Sequence, residues 1–83
     1  MTWFVYMALC ADKSIYTGIT TDVQRRLAEH KSGKGAKYTR AKHILKILYT
    51  EKKKTRSSAL KREAEIKGWD REKKLKLIDD LRQ

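Results

Sequence analysis

Three groups of side chains in this 83-residue sequence could do chemistry together. The first lies in "VQRRLAEH", residues 23–30. At about 100° per residue, Val23, Arg26, Leu27 and His30 share one helical face, while Gln24, Arg25, Ala28 and Glu29 point away from it. The stretch has few apolar residues, so the face holding Val23 and Leu27 must be the one that packs. Arg26 and His30 then sit at its edge or within it. Burying a guanidinium without a partner is costly, so Arg26 should meet an anion, either a protein carboxylate or a bound phosphate. The second group poses the same problem with opposite sign. Ala59, Leu60, Glu63, Ile66 and Lys67 form a stripe, and Glu63 falls among its packing residues. A carboxylate there wants a hydrogen bond, a cation or a metal. A purely structural Arg26–Glu63 ion pair would satisfy both helices.

The third group is a pair of tyrosines. Tyr6 shares a strand face with Phe4 and Ala8, and Tyr16 with Gly18 and Thr20. Cross-strand partners in a hairpin have a constant number sum. An even sum, such as Cys10 opposite Ser14 around a three-residue loop, puts both tyrosines on one face. A two-residue loop at Asp12-Lys13 separates them. Packing with the hydroxyls at the rim is the plain alternative to a chemical role. Gly18 inside a strand marks a bulge or a place of close approach.

Other chemistries find little support. Two histidines and one cysteine do not make a zinc site. No serine, histidine and aspartate are spaced for acyl transfer. "GKG" at 33–35 lacks the form of a phosphate loop and follows a helix rather than a strand.

The elements that must position these residues are readable in outline. "TWFVYMALC" is a strand buried on both faces, and "SIYTGIT" pairs with it across "ADK". Thr21 or Asp22 can cap the first helix, and Gly33 or Gly35 can end it. "ILKILYT" is a third strand, with Leu45, Ile47 and Tyr49 on one side. Ser57 or Ser58 can cap a second helix ending near Gly68. Asp70 can cap a third, whose stripe is Leu75, Ile78 and Leu81. The expected class is α+β, a three-stranded antiparallel sheet flanked by helices, in the order β-β-α-β-α-α within one domain spanning residues 1–83.

Charge is the strongest global signal. Lysine and arginine total 21 against 10 acidic residues, a net +11, and +9 of it lies between Lys31 and Arg56. Such a belt attracts polyanions and releases their counterions on binding. The expected partner is nucleic acid, taken as DNA. An acidic protein partner is a further reading, and no stretch resembles a membrane-surface helix. Cys10 excludes an intramolecular disulfide and reads as a small core residue. The apolar run 3–10 is too short to span a bilayer and makes a poor signal peptide, so the cytoplasm is the expected location.

The ordered combination resembles the GIY-YIG nuclease superfamily. "FVY", ending at Tyr6, stands at that pattern's first triplet, and "YTG", Tyr16 to Gly18, at its second. Arg26 follows Tyr16 at the family spacing, His30 comes one turn later, and "ALKREAEIK" resembles the helix whose glutamate binds the metal. The small stand-alone bacterial branch, similar to the nuclease domain of structure-specific endonucleases in DNA repair or recombination, is the best match. The resemblance implies phosphodiester hydrolysis with one divalent ion, Mg²⁺ or Mn²⁺, held by Glu63. It implies a phosphate on Arg26 and an attacking water oriented by Tyr6, Tyr16 and His30. It also implies nucleic acid approaching Gly18, with the basic loop residues Lys34, Lys37 and Arg40 as further contacts and Tyr38 stacking on a base or, as the plain alternative, anchoring the loop. The sequence departs from the pattern in lacking the first triplet's glycine and isoleucine and in containing no asparagine. A non-catalytic nucleic-acid-binding module with the same fold is the alternative reading.

Overall fold

Bulky β-favouring residues at 3–10 and 15–20 pair because a tight turn returns one onto the other. In the computed structural model, which describes residues 1–32 and 43–82, these are β1 (Trp3–Cys10) and β2 (Ile15–Thr20). Lys13 N–H donates to the Cys10 carbonyl at 2.9 Å, and Cys10 N–H donates to the Ser14 carbonyl at 2.9 Å. Lys13 takes the left-handed φ of 70° that closes a three-residue loop. Asp12 Oδ1 accepts from Ser14 N–H at 3.0 Å and braces the turn. The loop makes the register sum even, with Tyr6 opposite Gly18 and Ala8 opposite Tyr16. Tyr6 and Tyr16 therefore share a face.

The remaining elements are α1 (Val23–Lys31), β3 (Ile44–Lys53), α2 (Arg56–Lys67) and α3 (Arg71–Arg82). β3 pairs antiparallel with β1, giving the sheet order β2-β1-β3. The α+β class and the order β-β-α-β-α-α are as expected. β1 is central, and Val5, Tyr6, Met7 and Ala8 are buried on alternating faces. Val5 and Met7 pack with Tyr49, Ala59, Ile66 and Ile78 beneath α2 and α3. Tyr6, Ala8 and Cys10 pack with Ile44, Tyr16, Leu27 and Ile47 beneath α1. Each large apolar side chain so buried contributes about 1.5–3 kcal/mol. Among the described residues, no helix is long and apolar enough to cross a membrane.

Three local expectations fail for physical reasons. β3 does not alternate simply, because two register shifts against β1 rotate its faces. Ile44 and Ile47 turn toward α1, Tyr49 turns toward α2, and Leu45 is left half exposed. In α3 Ile78 is buried as expected and Leu77 packs partly buried beside it, but Leu75 lies at the surface, and the Leu81 side chain lies outside those the structure describes. α2 is capped neither by Ser57 nor by Ser58 but by Thr55. Thr55 Oγ1 accepts from Ser58 N–H at 3.1 Å, and Ser58 Oγ accepts from Thr55 N–H at 3.4 Å. Ser58 thus takes the reciprocal place usually held by glutamate or glutamine. Asp70 does cap α3, accepting from Lys73 N–H at 2.9 Å.

A polar brace ties β3 to α2. Glu51 accepts from the Tyr49 hydroxyl at 2.6 Å and from Arg62 Nε at 3.0 Å, and Lys53 Nζ lies 2.9 Å from it. Burial alone would raise the Glu51 carboxyl pKa, but these three donors outweigh it and hold the carboxyl below its ordinary value. A carboxylate so depressed stabilises the fold above its unfolded pKa, about 4.3, and that contribution disappears as pH falls through the folded value. Urea unfolding of wild type and Glu51→Gln at pH 7 and pH 3 should therefore give a large difference at neutral pH that shrinks in acid. Thr55→Ala should cost about 1 kcal/mol in the same assay, through loss of the cap on the helix that carries Glu63.

Candidate active site

The connection from β2 to α1 fixes where the first helix points. Asp22 N–H donates to Thr20 Oγ1 at 3.1 Å, and that hydroxyl donates back to the Asp22 carbonyl at 3.2 Å. Asp22 is the N-cap, with Oδ1 accepting from Arg25 N–H at 3.0 Å. Starting from this anchor, Leu27 enters the core beside Tyr6, and His30 is buried at 3% exposure. Arg26 is half-buried. The inward turn of Arg26 and His30 expected from helical spacing is what the fold produces.

Tyr6 stands at the centre of the cluster. Its hydroxyl lies 2.9 Å from His30 Nε2, and both groups are buried. The Tyr16 ring meets His30 edge-on with centroids 5.7 Å apart and tilts against Tyr6 at 6.1 Å. Gly18 explains how the Tyr6 ring fits. A Cβ at position 18 would lie 2.7 Å from the Tyr6 hydroxyl oxygen and 3.0 Å from Tyr16 Cε2. The close approach that Gly18 permits is thus made by these two rings, and Gly18 is itself buried. The missing side chain makes room for the Tyr6 ring.

Electrostatics binds two more residues to this centre. Burial pushes the Tyr6 phenol up to about 12, aided by Tyr16 and the Glu63 carboxylate, while the Arg26 guanidinium opposes the rise. Tyr6 is therefore neutral at pH 7. His30 is lowered from its ordinary value by burial first and by the Arg26 charge second. A neutral His30 Nε2 can accept the Tyr6 proton when the ring carries its own proton on Nδ1.

Arg26 and Glu63 do not pair with each other. Arg26 Nη1 donates to Glu29 Oε1 at 3.3 Å, and Glu63 Oε2 lies 3.6 Å from Lys67 Nζ. Both partners sit on the same helix, one turn away. Helical projection points Glu29 away from the packing face, so its contact with Arg26 was missed. The i, i+3 spacing of opposite charges is the signal that could have found it.

Glu63 is the residue that could hold a divalent ion. Its side chain is 18% exposed, and among the described residues no cluster of three or more histidine, cysteine, aspartate or glutamate side chains gathers around one point. A single hard oxygen ligand suits an ion that keeps several waters and shares a substrate phosphate, the habit of Mg²⁺. Lys34, Lys37, Tyr38 and Arg40, expected along a nucleic-acid path, lie outside the described residues.

Comparison with known proteins identifies the family to which this fold belongs. Residues 2–76 match the family model described as the GIY-YIG catalytic domain. A UPF0213 protein of Haloquadratum walsbyi is 51% identical over 77 residues, covering 93% of this chain and 86% of its own length. One from Staphylococcus saprophyticus is 46% identical over 77 residues, covering 93% and 94%. The solution structure of a UPF0213 protein from Bacillus halodurans superposes with a TM-score of 0.60 at 43% identity, covering 95% of this chain and 84% of that one. A protein of E. faecalis, also solved in solution, superposes with a TM-score of 0.66 at 44% identity, covering 99% and 88%. With residues 2–76 matched to that domain and relatives near 50% identity over 93% of its length, the chain belongs to the GIY-YIG family.

Proposed function

We infer that this protein is a metal-dependent endonuclease that hydrolyses phosphodiester bonds in DNA, in the setting of repair or recombination. The observation that carries the reading is the Tyr6 hydroxyl, 2.9 Å from His30 Nε2, under the joint influence of Arg26 and Glu63. A hydroxyl hydrogen-bonded to a proton acceptor and within the field of a cation and a carboxylate is equipped to activate water beside a phosphate.

The residues divide the work by their chemistry. The scissile phosphate docks on Arg26, displacing a Glu29 carboxylate held only by a half-exposed ion pair. Such pairs contribute about 0.2–1 kcal/mol, so a phosphate diester outcompetes it easily. The attacking water donates to the Tyr6 oxygen. As its proton passes to Tyr6, the Tyr6 proton passes to His30 Nε2. The resulting hydroxide bonds to phosphorus, the bond from phosphorus to the leaving sugar oxygen breaks, and that oxygen takes a proton from solvent. Arg26 neutralises the charge that gathers on the phosphoryl oxygens. Tyr16, edge-on to His30, fixes the imidazole plane so that Nε2 faces Tyr6. A divalent ion on Glu63 would supply further neutralisation of the phosphate and of the leaving oxygen.

A relay of this kind explains why Tyr6 need not ionise first. Its pKa of about 12 leaves almost no phenolate at neutral pH. A concerted transfer uses the neutral phenol as both acceptor and donor, with His30 as the terminal base.

The test is cleavage of plasmid, branched and single-stranded DNA with Mg²⁺ or Mn²⁺. Arg26→Ala and Glu63→Gln should each lower turnover by about 10²–10³-fold with the fold intact by circular dichroism. Equal activity in wild type and both variants would overturn the site. Salt-sensitive DNA binding with no turnover under any metal would favour the binding-module reading. The pH profile gives a second check. His30 must be neutral to accept a proton and its pKa is lowered, so activity should rise with pH and level off below the ordinary value of about 6.5. In His30→Gln that acid limb should vanish along with most of the rate.

A further inference from the structure

The face of the sheet that carries Tyr6 is only partly covered by α1, and the helix divides it. The tyrosine cluster lies on one flank. On the other is a groove of about 400 Å³ floored by Phe4 and Ile47 and edged by Thr21, Asp22, Gln24 and Thr50. Phe4 offers an aromatic surface, while Gln24 and Thr50 offer hydrogen-bonding groups of the kind that read base edges. Lys52 pairs with Phe4 in the register, which places it on the same face at the groove's end, and it is exposed.

Helical geometry joins the groove to the cluster. Successive side chains are about 100° apart. Gln24 edges the groove, Arg25 stands on the exposed back of the helix, and Arg26 reaches Tyr6 on the far flank. These three consecutive residues form a path over the first turn of α1 from groove to reaction centre. An anionic chain lying on that path meets Lys52, then Arg25, then Arg26. Of the acidic groups beside it, Asp22 has an oxygen committed to the helix cap and Glu29 is held by Arg26 itself.

We propose that α1 is a saddle crossed by a single-stranded segment of nucleic acid. An unpaired base next to the scissile phosphate lodges against Phe4, and the intervening backbone lies on Arg25. The inference rests on the nuclease reading above and specifies its substrate class. The physical reason for a single strand is curvature. A helix is about 10–12 Å across, and duplex DNA, stiff over about 150 base pairs, does not bend around so small a cylinder. A flexible single strand does, and its bases are free to leave the stack.

The test uses the whole chain in chelator, so that binding is read apart from cleavage. Anisotropy of a short labelled oligodeoxythymidylate is compared with that of a duplex of equal length at one salt concentration. The single strand should bind about tenfold more tightly. Arg25→Ala, Gln24→Ala and Thr50→Glu, all at exposed positions, should each weaken single-strand binding at least about fivefold while changing duplex binding little. Equal affinity for the two forms, or groove variants that bind the single strand like wild type, would overturn the saddle. Its failure is separable from that of the active site. If the Arg26 and Glu63 variants lose cleavage while the groove variants bind normally, only the saddle falls. If the groove variants lose single-strand binding while Arg26→Ala cleaves normally, only the site assignment falls.

Discussion

The Tyr6 hydroxyl is the constraint around which one side of the sheet is organised. It sits in the most buried strand of the protein with the residue 1% exposed. A buried hydroxyl without a partner costs about 1–3 kcal/mol, a large share of what a chain this small has to spare. His30 supplies the partner, and supplying it dictates the rest. The helix must cross at a height that puts its eighth residue over β1, which the Thr20–Asp22 hydrogen bonds arrange. The facing position on β2 must have no side chain, which Gly18 provides. The three-residue turn must hold an even register so that Tyr16 closes the group from the side.

The two faces of the sheet differ in polarity. Beneath α2 and α3 the contacts are almost wholly apolar, and the polar brace at Glu51 lies at their margin. Beneath α1 the contacts include a tyrosine pair and a histidine, and only Leu27 anchors the helix in the way a hydrophobic stripe would. β1 belongs to both layers, so the apolar side holds the strand that presents Tyr6 to the polar one.

Much of this was legible in the sequence, and the failures share one cause. Arg26 and His30 could be placed on the packing side because the period of a helix is rigid and nine residues offer few alternatives. The shared face of Tyr6 and Tyr16 could be reduced to one question, the parity of the turn, but not answered. Lys13 adopts a left-handed φ without being glycine, so no residue type announced the three-residue loop. β3 misled for a similar reason. Its register shifts are set by pairing with β1, and a bulge leaves no mark in the alternation of Leu45, Ile47 and Tyr49. Gly18 is unusual inside a strand, yet the sequence does not say whether a ligand or a side chain fills its space.

The charges around the cluster are paired locally, which under the proposed function leaves them available to a substrate. An Arg26–Glu63 bridge across the cluster would tie two elements together, and breaking such a buried pair costs about 3–5 kcal/mol. A phosphate or a metal ion would have to overcome that before binding. The protein instead pairs Arg26 with Glu29 and Glu63 with Lys67, each along its own helix and each toward solvent. Contacts of this kind are worth so little that surrendering them barely offsets the gain from a charge-assisted bond to an anion or a cation. Intrahelical pairing thus resolves the inward arginine: it is held by a partner weak enough to give way.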